Sequence, residues 1–148
     1  MKDEKRINLA KKIINNNIYL TLGTADNKIP WTAPLFYAVN NKYEFYFISK
    51  KDSLHIKHIS NNPKVSFSIF DSHQKEGTGN GVQGSGISIR ISDHEIEEAL
   101  KWYKSDFIEM KKESFTGSAP LRFYKIIPDH FYILDPDEET DVRIEVVL

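Results

Sequence analysis

Val65, Phe67 and Ile69 alternate with Ser66, Ser68 and Phe70 along Lys64–Asp71, the two-residue period of a strand with one buried face. Near the start the period changes. Ile7, Ala10, Ile13 and Ile14 fall at helical spacing between Asp3 and about Asn16, and the Asn15-Asn16-Asn17 cluster ends the run. Ile18–Ala25 predicts a strand, Asp26-Asn27-Lys28 a turn, and Pro30–Val39 the second arm of a hairpin. In that arm Trp31, Ala33, Leu35, Tyr37 and Val39 share a face. Pro34 has no N–H to give to a ladder, so it calls for an edge, a bulge or interrupted pairing.

Past Asn40-Asn41-Lys42, Tyr43–Ser49 reads as a strand in which Tyr43, Phe45 and Phe47 alternate onto a core face. Ser53–Ser60 reads as a short helix, closed by Asn61-Asn62-Pro63. Gly81–Ile91 is a strand. His94–Lys112 carries the strongest helical stripe, with Ile96, Ala99 and Leu100, Tyr103, Phe107 and Met110. Leu121–Ile127 and His130–Leu134, parted by Pro128-Asp129, predict a closing hairpin. The acidic stretch Asp135–Asp141 is expected to be solvated, and the final RIEVVL to pair or pack, on this chain or on another subunit.

This order gives about seven strands and three helices, joined by hairpin-length connections without strand–helix–strand alternation. It predicts a mainly β (α+β) fold, an antiparallel barrel with helices packed outside. No linker or internal repeat divides residues 1–148, so one domain is expected.

Composition narrows the chemistry. A chain of 148 residues can bury roughly 70% of the surface it exposes when unfolded, enough for a core without crosslinks. The absence of cysteine excludes cystines, thiolate metal sites and cysteine nucleophiles, and it fits a reducing compartment, so a cytoplasmic location is expected. Lys and Arg number 20 against 21 Asp and Glu, which leaves no long-range field to draw in a polyanion and argues against nucleic acid as partner. The N-terminus is charged and amphipathic, and no apolar run approaches the ~20 residues of a membrane span, so no membrane partner is expected.

The stretch SKKDSLHIKH, Ser49–His58, concentrates polar chemistry where a strand meets a short helix. Amides at a helix N-terminus favour negative charge. Ser49 and Ser53 can add hydroxyl donors, Lys50 or Lys51 a mobile charge, and His55 an imidazole. That describes a phosphate site. It also describes a surface helix whose amides are satisfied by Asp52 as N-cap, with a charge that repels a dianion. His55 and His58 stand three apart, but no third ligand completes a metal shell, and no metal site is assigned. GTGNG lacks the Lys-Ser/Thr of a triphosphate loop and reads as a turn; the loop HQKEGTGN is either a lid or a surface loop. Trp102 sits beside the helical stripe, at an interface or at the edge of the core. Arg122 and Lys125 are expected to face water. No serine-histidine-aspartate order or carboxylate pair suggests hydrolysis.

Taken together, PWTAPLFYAVN, YEFYFISKKDSLHIKHISNNPKVSFSIF and GVQGSGISIRI resemble the pyridoxamine 5'-phosphate oxidase-like family of FMN-binding split barrels, over roughly residues 7 to 134. The resemblance implies a Greek-key split barrel with flanking helices, working as a homodimer with FMN in clefts at the subunit interface. It implies that Ser49, Lys50, Ser53 and His55 surround the FMN phosphate and ribityl chain. It matches Trp31, Ala33, Pro34 and Leu35 to the stretch whose backbone faces the flavin ring, and Gln83 to the glutamine that reaches the ring's polar edge, with Gly84 and Gly86 keeping that strand slim. The catalytic residues stay unassigned. The family's true oxidases hold pyridoxal phosphate with an arginine- and histidine-bearing C-terminal segment. DPDEETDVRIEVVL has no counterpart, which argues against oxidation of pyridoxamine phosphate.

Three functions follow as expectations. The first is an FMN-dependent oxidoreductase acting on an unidentified small molecule. The second is a non-catalytic flavin- or haem-binding module, since the same fold also serves haem and deazaflavin. The third is a cofactor-free barrel that binds other proteins.

Overall fold

The computed structural model describes all residues, Met1–Leu148. Helix α1 (Lys2–Asn16) leads into β1 (Tyr19–Asp26) and β2 (Ile29–Phe36), and then β3 (Ala38–Val39) and β4 (Phe45–Lys50). Next come α2 (Leu54–Asn61), β5 (Lys64–Phe70), β6 (Gly81–Arg90), α3 (Ile96–Trp102), β7 (Leu121–Leu134) and β8 (Arg143–Val146). All strand pairs are antiparallel, and the sheet runs β2-β1-β5-β6-β7-β4-β3, with β8 also on β7. β4 pairs with distant β7 rather than with β5, which gives the Greek-key crossing. The expected mainly β split barrel is the fold observed.

The two terminal strands of that order, β2 and β3, are consecutive in sequence and separated by Tyr37 alone. The sheet must therefore curl until its edges meet. Tyr37 is buried there, its N–H donating to Ile18 O and its hydroxyl to Ile14 O. Asn27 and Lys28 both have positive φ, 47° and 63°, in the two-residue turn between β1 and β2. That is the primed turn whose twist suits a tight hairpin.

The barrel interior holds Leu20, Leu22, Phe45, Phe47, Phe67, Ile69, Ile126 and Ile133, with Ala10 and Ile14 of α1 and Ile56 and Ile59 of α2 joining the same core. The side of β4 and β7 facing away from this core carries Tyr46 and Phe123, which pack with Ile96 and Ala99 of α3 and with Tyr103 and Phe115. The outer faces of β2, β1, β5 and β6 have no such cover, and Tyr19, Phe70, Ile87 and Ile89 are exposed there.

Several sequence expectations are corrected. The helix expected over His94–Lys112 ends at Trp102. Tyr103 turns extended to bury its ring edge-on against Phe36 and Phe123, the Ser105 hydroxyl accepts the Phe107 N–H, and Phe107 is 98% exposed. The expected hairpin at Pro128-Asp129 is one continuous strand, β7. Ser85 faces His130 and Gly86 faces Pro128, so Asp129 is an extra residue in a bulge, where the missing N–H of Pro128 is tolerated. Asp135 is buried, against the expectation of a solvated stretch: its carboxylate accepts from Arg6 Nη2 at 2.6 Å, and Asp137 takes Lys5. The terminal RIEVVL pairs within its own chain, as β8 on β7.

Candidate functional site

Ala38 faces Tyr46 and Val39 faces Phe45 across the β3–β4 pair. Continued backward through Tyr37, that register brings Leu35 opposite Ser49 and Pro34 opposite Lys50. The pairing does not continue: β2 hydrogen-bonds to β1, β4 to β7, and a seam opens between them. Along β2 the prolines Pro30 and Pro34 fall in the same alternate set as Thr32. Their nitrogens turn to the free edge, where no ladder bond is lost, and the Thr32 N–H and neighbouring carbonyls face the seam unpaired. Ala33 is buried, and Leu35 packs against the barrel core. Trp31, on the same face, is 47% exposed beyond it.

Helix α2 heads this seam. Its direction is fixed at the far end, where the His58 ring bonds Thr24 Oγ1 at 3.0 Å, Asn62 donates to Ala25 O and Asn61 to Asp26. At its start Ser53, not Asp52, is the N-cap, and it makes no side-chain cap: its hydroxyl donates to Lys50 O. The leading amides of α2 are thus left open to a ligand. Ser49 Oγ lies 2.8 Å from Ser53 Oγ and 3.0 Å from His55 Nε2, and Ser53 Oγ lies 3.3 Å from the same nitrogen. Burial pushes the His55 imidazole below its ordinary value, so at neutral pH it is uncharged. Lys50 is exposed beside the cluster. His55 and His58 therefore have different hydrogen-bond partners.

Of the sequence-derived residues, Ser49, Ser53 and His55 are in mutual hydrogen-bond contact, and Lys50, Pro34 and Leu35 border the same seam. Gln83 does not join them within one chain. It sits on β6 facing Tyr132, whereas Ser49 faces Arg122, ten residues earlier on the same strand. Round the other side of the sheet the registers run Gln83–Ser68–Thr21–Pro34, so at ~5 Å per pair Gln83 lies on the order of 15 Å from Pro34 at the seam. Gln83 instead lines an open cleft of about 530 Å³ under the loop 71–80, and Trp31 lines another of about 450 Å³ between β1, β2 and β5. The loop is ordered by its own side chains: Gln74 bonds Asp71 O and Asn80, and the Asn80 side chain bonds Leu134 in both directions. Gly84 runs close over the core, where an added Cβ would lie 2.1 Å from Phe67 Cζ.

The expectation that Arg122 and Lys125 face water is overturned. Arg122 is 4% exposed and donates to the carbonyls of Gly117, Ala119 and Leu121, and Lys125 pairs with Glu44 at 3.3 Å. Trp102 donates to Glu98 and lines a cleft of about 250 Å³ with Phe36 and Tyr37. Sequence reading also passed over Ser88 and Tyr124. Both are buried and border a cleft beside α2. The available signal was a serine at an inward position of the alternating GISIRI.

The pyridoxamine 5'-phosphate oxidase family model matches residues 9–135. A protein of Pasteurella multocida, UPF0306 protein PM1958, is 26% identical over 95 residues, 64% of each chain, so the chain spans just under two thirds of that relative. Among solved structures, a heme binding protein from Mycobacterium smegmatis superposes with a TM-score of 0.73 at 14% identity, over 93% of this chain and 55% of that one. A FAD-binding protein from Mesorhizobium loti superposes with a TM-score of 0.68 at 19% identity, over 86% of this chain and 90% of that one.

Proposed function

The chain belongs to the pyridoxamine 5'-phosphate oxidase family, and from that premise we propose that it is an FMN-binding oxidoreductase of the cytoplasm, acting on a small molecule as a homodimer. The observation that carries this reading is the seam: open amides of α2 and the Ser49–Ser53–His55 cluster stand across from the unpaired edge of β2. A phosphate at the head of α2 exchanges the hydrogen bonds among the three side chains for stronger, charge-assisted ones. Lys50 supplies a cation from solvent. The edge groups of β2 between Trp31 and Leu35 face a flat heterocycle with donors and acceptors in a row, as a flavin ring requires. Bound there, FMN supplies the capacity to accept and return a hydride or electrons.

Gln83 stands three strands from Pro34, across β5 and β1, and in the homodimer the Gln83 of a second copy completes the site. The uncovered outer face of β2, β1, β5 and β6, with Tyr19, Phe70, Ile87 and Ile89 exposed, is the surface available for that copy.

The test is spectroscopic. Protein purified from its native cell and treated with excess FMN should turn yellow, with quenched flavin fluorescence and the mass of a dimer. Protein that stays colourless sinks the proposal. The second reading, a non-catalytic flavin or haem module, draws on the likeness to the heme binding protein of M. smegmatis. Turnover separates the two: a carrier binds its cofactor but leaves NADH and NADPH unoxidised.

A further inference from the structure

We propose that the cleft between α2 and the β6–β7 pair binds a small organic anion, a carboxylate or phosphate ester on a compact apolar body, at a site separate from the seam. The cleft holds about 340 Å³, and it is bordered by Lys51, Arg90, Ser88, Tyr124, Ile56 and Ile59 among others, with no carboxylate in its wall. Neither Lys51 nor Arg90 takes part in any ion pair of the chain.

One buried group of the wall is left wanting a partner. The Ser88 side chain is 1% exposed, and its Oγ has no hydrogen bond at all. A buried hydroxyl without a partner costs stability, and native chains rarely keep one without a use. Arg122 lies outside the cleft wall, 4% exposed and met by three carbonyls, and adds positive potential at Tyr124.

Tyr124 reports the resulting field. Burial pushes its phenol above the ordinary value, while Arg90 and Arg122 both pull it down. The apolar part of the wall, Ile56 and Ile59 with Pro63, suits the body of such a ligand. The volume lies at the small end for ligand pockets, and none of Ser49, Ser53 and His55 lines it. The assignment is therefore independent of the flavin reading.

The test is a titration of the full-length ¹⁵N-labelled protein with benzoate, phenyl phosphate and inorganic phosphate in separate arms. Saturable shifts of the Lys51, Ser60, Ser88 and Arg90 amides are expected with benzoate or phenyl phosphate, and the stronger arm identifies the head group. Arg90→Gln should weaken binding tenfold or more. Ser88→Ala should weaken it about threefold with an undiminished melting temperature, since it removes an unpaired hydroxyl. No saturable shift with either organic anion, or undiminished binding in R90Q, overturns the proposal, as does a response to inorganic phosphate alone. So does FMN, if it shifts these amides and displaces the anion, because the cleft would then belong to the flavin site. A chain that ignores FMN yet binds benzoate leaves the proposal standing and refutes the flavin reading alone.

Discussion

Ser49, Ser53 and His55 already satisfy one another, so a phosphate at the head of α2 gains only the difference between neutral and charge-assisted hydrogen bonds. Replacing Ser53 or His55 by alanine should therefore weaken FMN binding by roughly 1 to 3 kcal/mol, read in a fluorescence-quenching titration. His55 adds a pH signature. Its folded-state value lies below the ordinary one through burial, so nothing depends on it where both states are neutral, above pH ~6.5. As the pH falls below that, the unfolded chain takes its proton first and stability declines. A dianionic phosphate reverses the preference by favouring the imidazolium, so FMN affinity should rise from pH 8 to 6.5 in the wild type and stay level in H55A. At Gly84 the constraint is steric. Gly84→Ala drives a methyl into the Phe67 ring, and urea unfolding should show a loss of about 1 to 3 kcal/mol. The polar cluster was legible because its residues are neighbours in sequence. Arg122 was not, because its partners are carbonyls, which no side-chain pattern announces.

Long strands and short helices are decided by what lies beside them. β7 serves β6 along most of its length, β4 at its start and β8 at its end, and those ladders carry it through Pro128-Asp129, which local turn chemistry alone would have broken. The stripe expected to extend α3 stops where Tyr103 finds aromatic partners off the helical path. Local period cannot report such rivals, whereas β5 reads correctly because both its neighbours demand the same alternation. β8 is held partly by the contact of His130 Nδ1 with Glu145, which raises the imidazole above its ordinary value. The stabilisation is full below pH ~6.5 and is lost as the pH rises through the folded value. Thermal melts of wild type and H130Q should separate at pH 6 and converge at pH 8. Asp135→Ala strips the buried carboxylate from Arg6 and frees α1 from the start of the acidic stretch, and the urea midpoint should fall with the slope unchanged.

Across the whole molecule, the mainly β class and the order of elements could be read from alternation and turn residues. The closure could not. Nothing in the local pattern says that β2 and β3, neighbours in sequence, lie at opposite limits of the sheet. The same arrangement divides the implied cofactor residues into a group at the seam and Gln83 three strands away, and the proposed dimer makes stoichiometry a measurable property. Light scattering should report a dimer whose flavin content is two per assembly, and Gln83→Ala should lower affinity at both sites.

The join at Tyr37 is one residue long and pinned to Ile18 and Ile14, whereas no ladder ties β2 to β4 along the seam beyond it. The planar cofactor proposed for the seam would then enter sideways, like a card into a slot, while every strand keeps its pairing. Loading and unloading then need no unfolding, and their rates should follow the stiffness of that short joint rather than the stability of the domain.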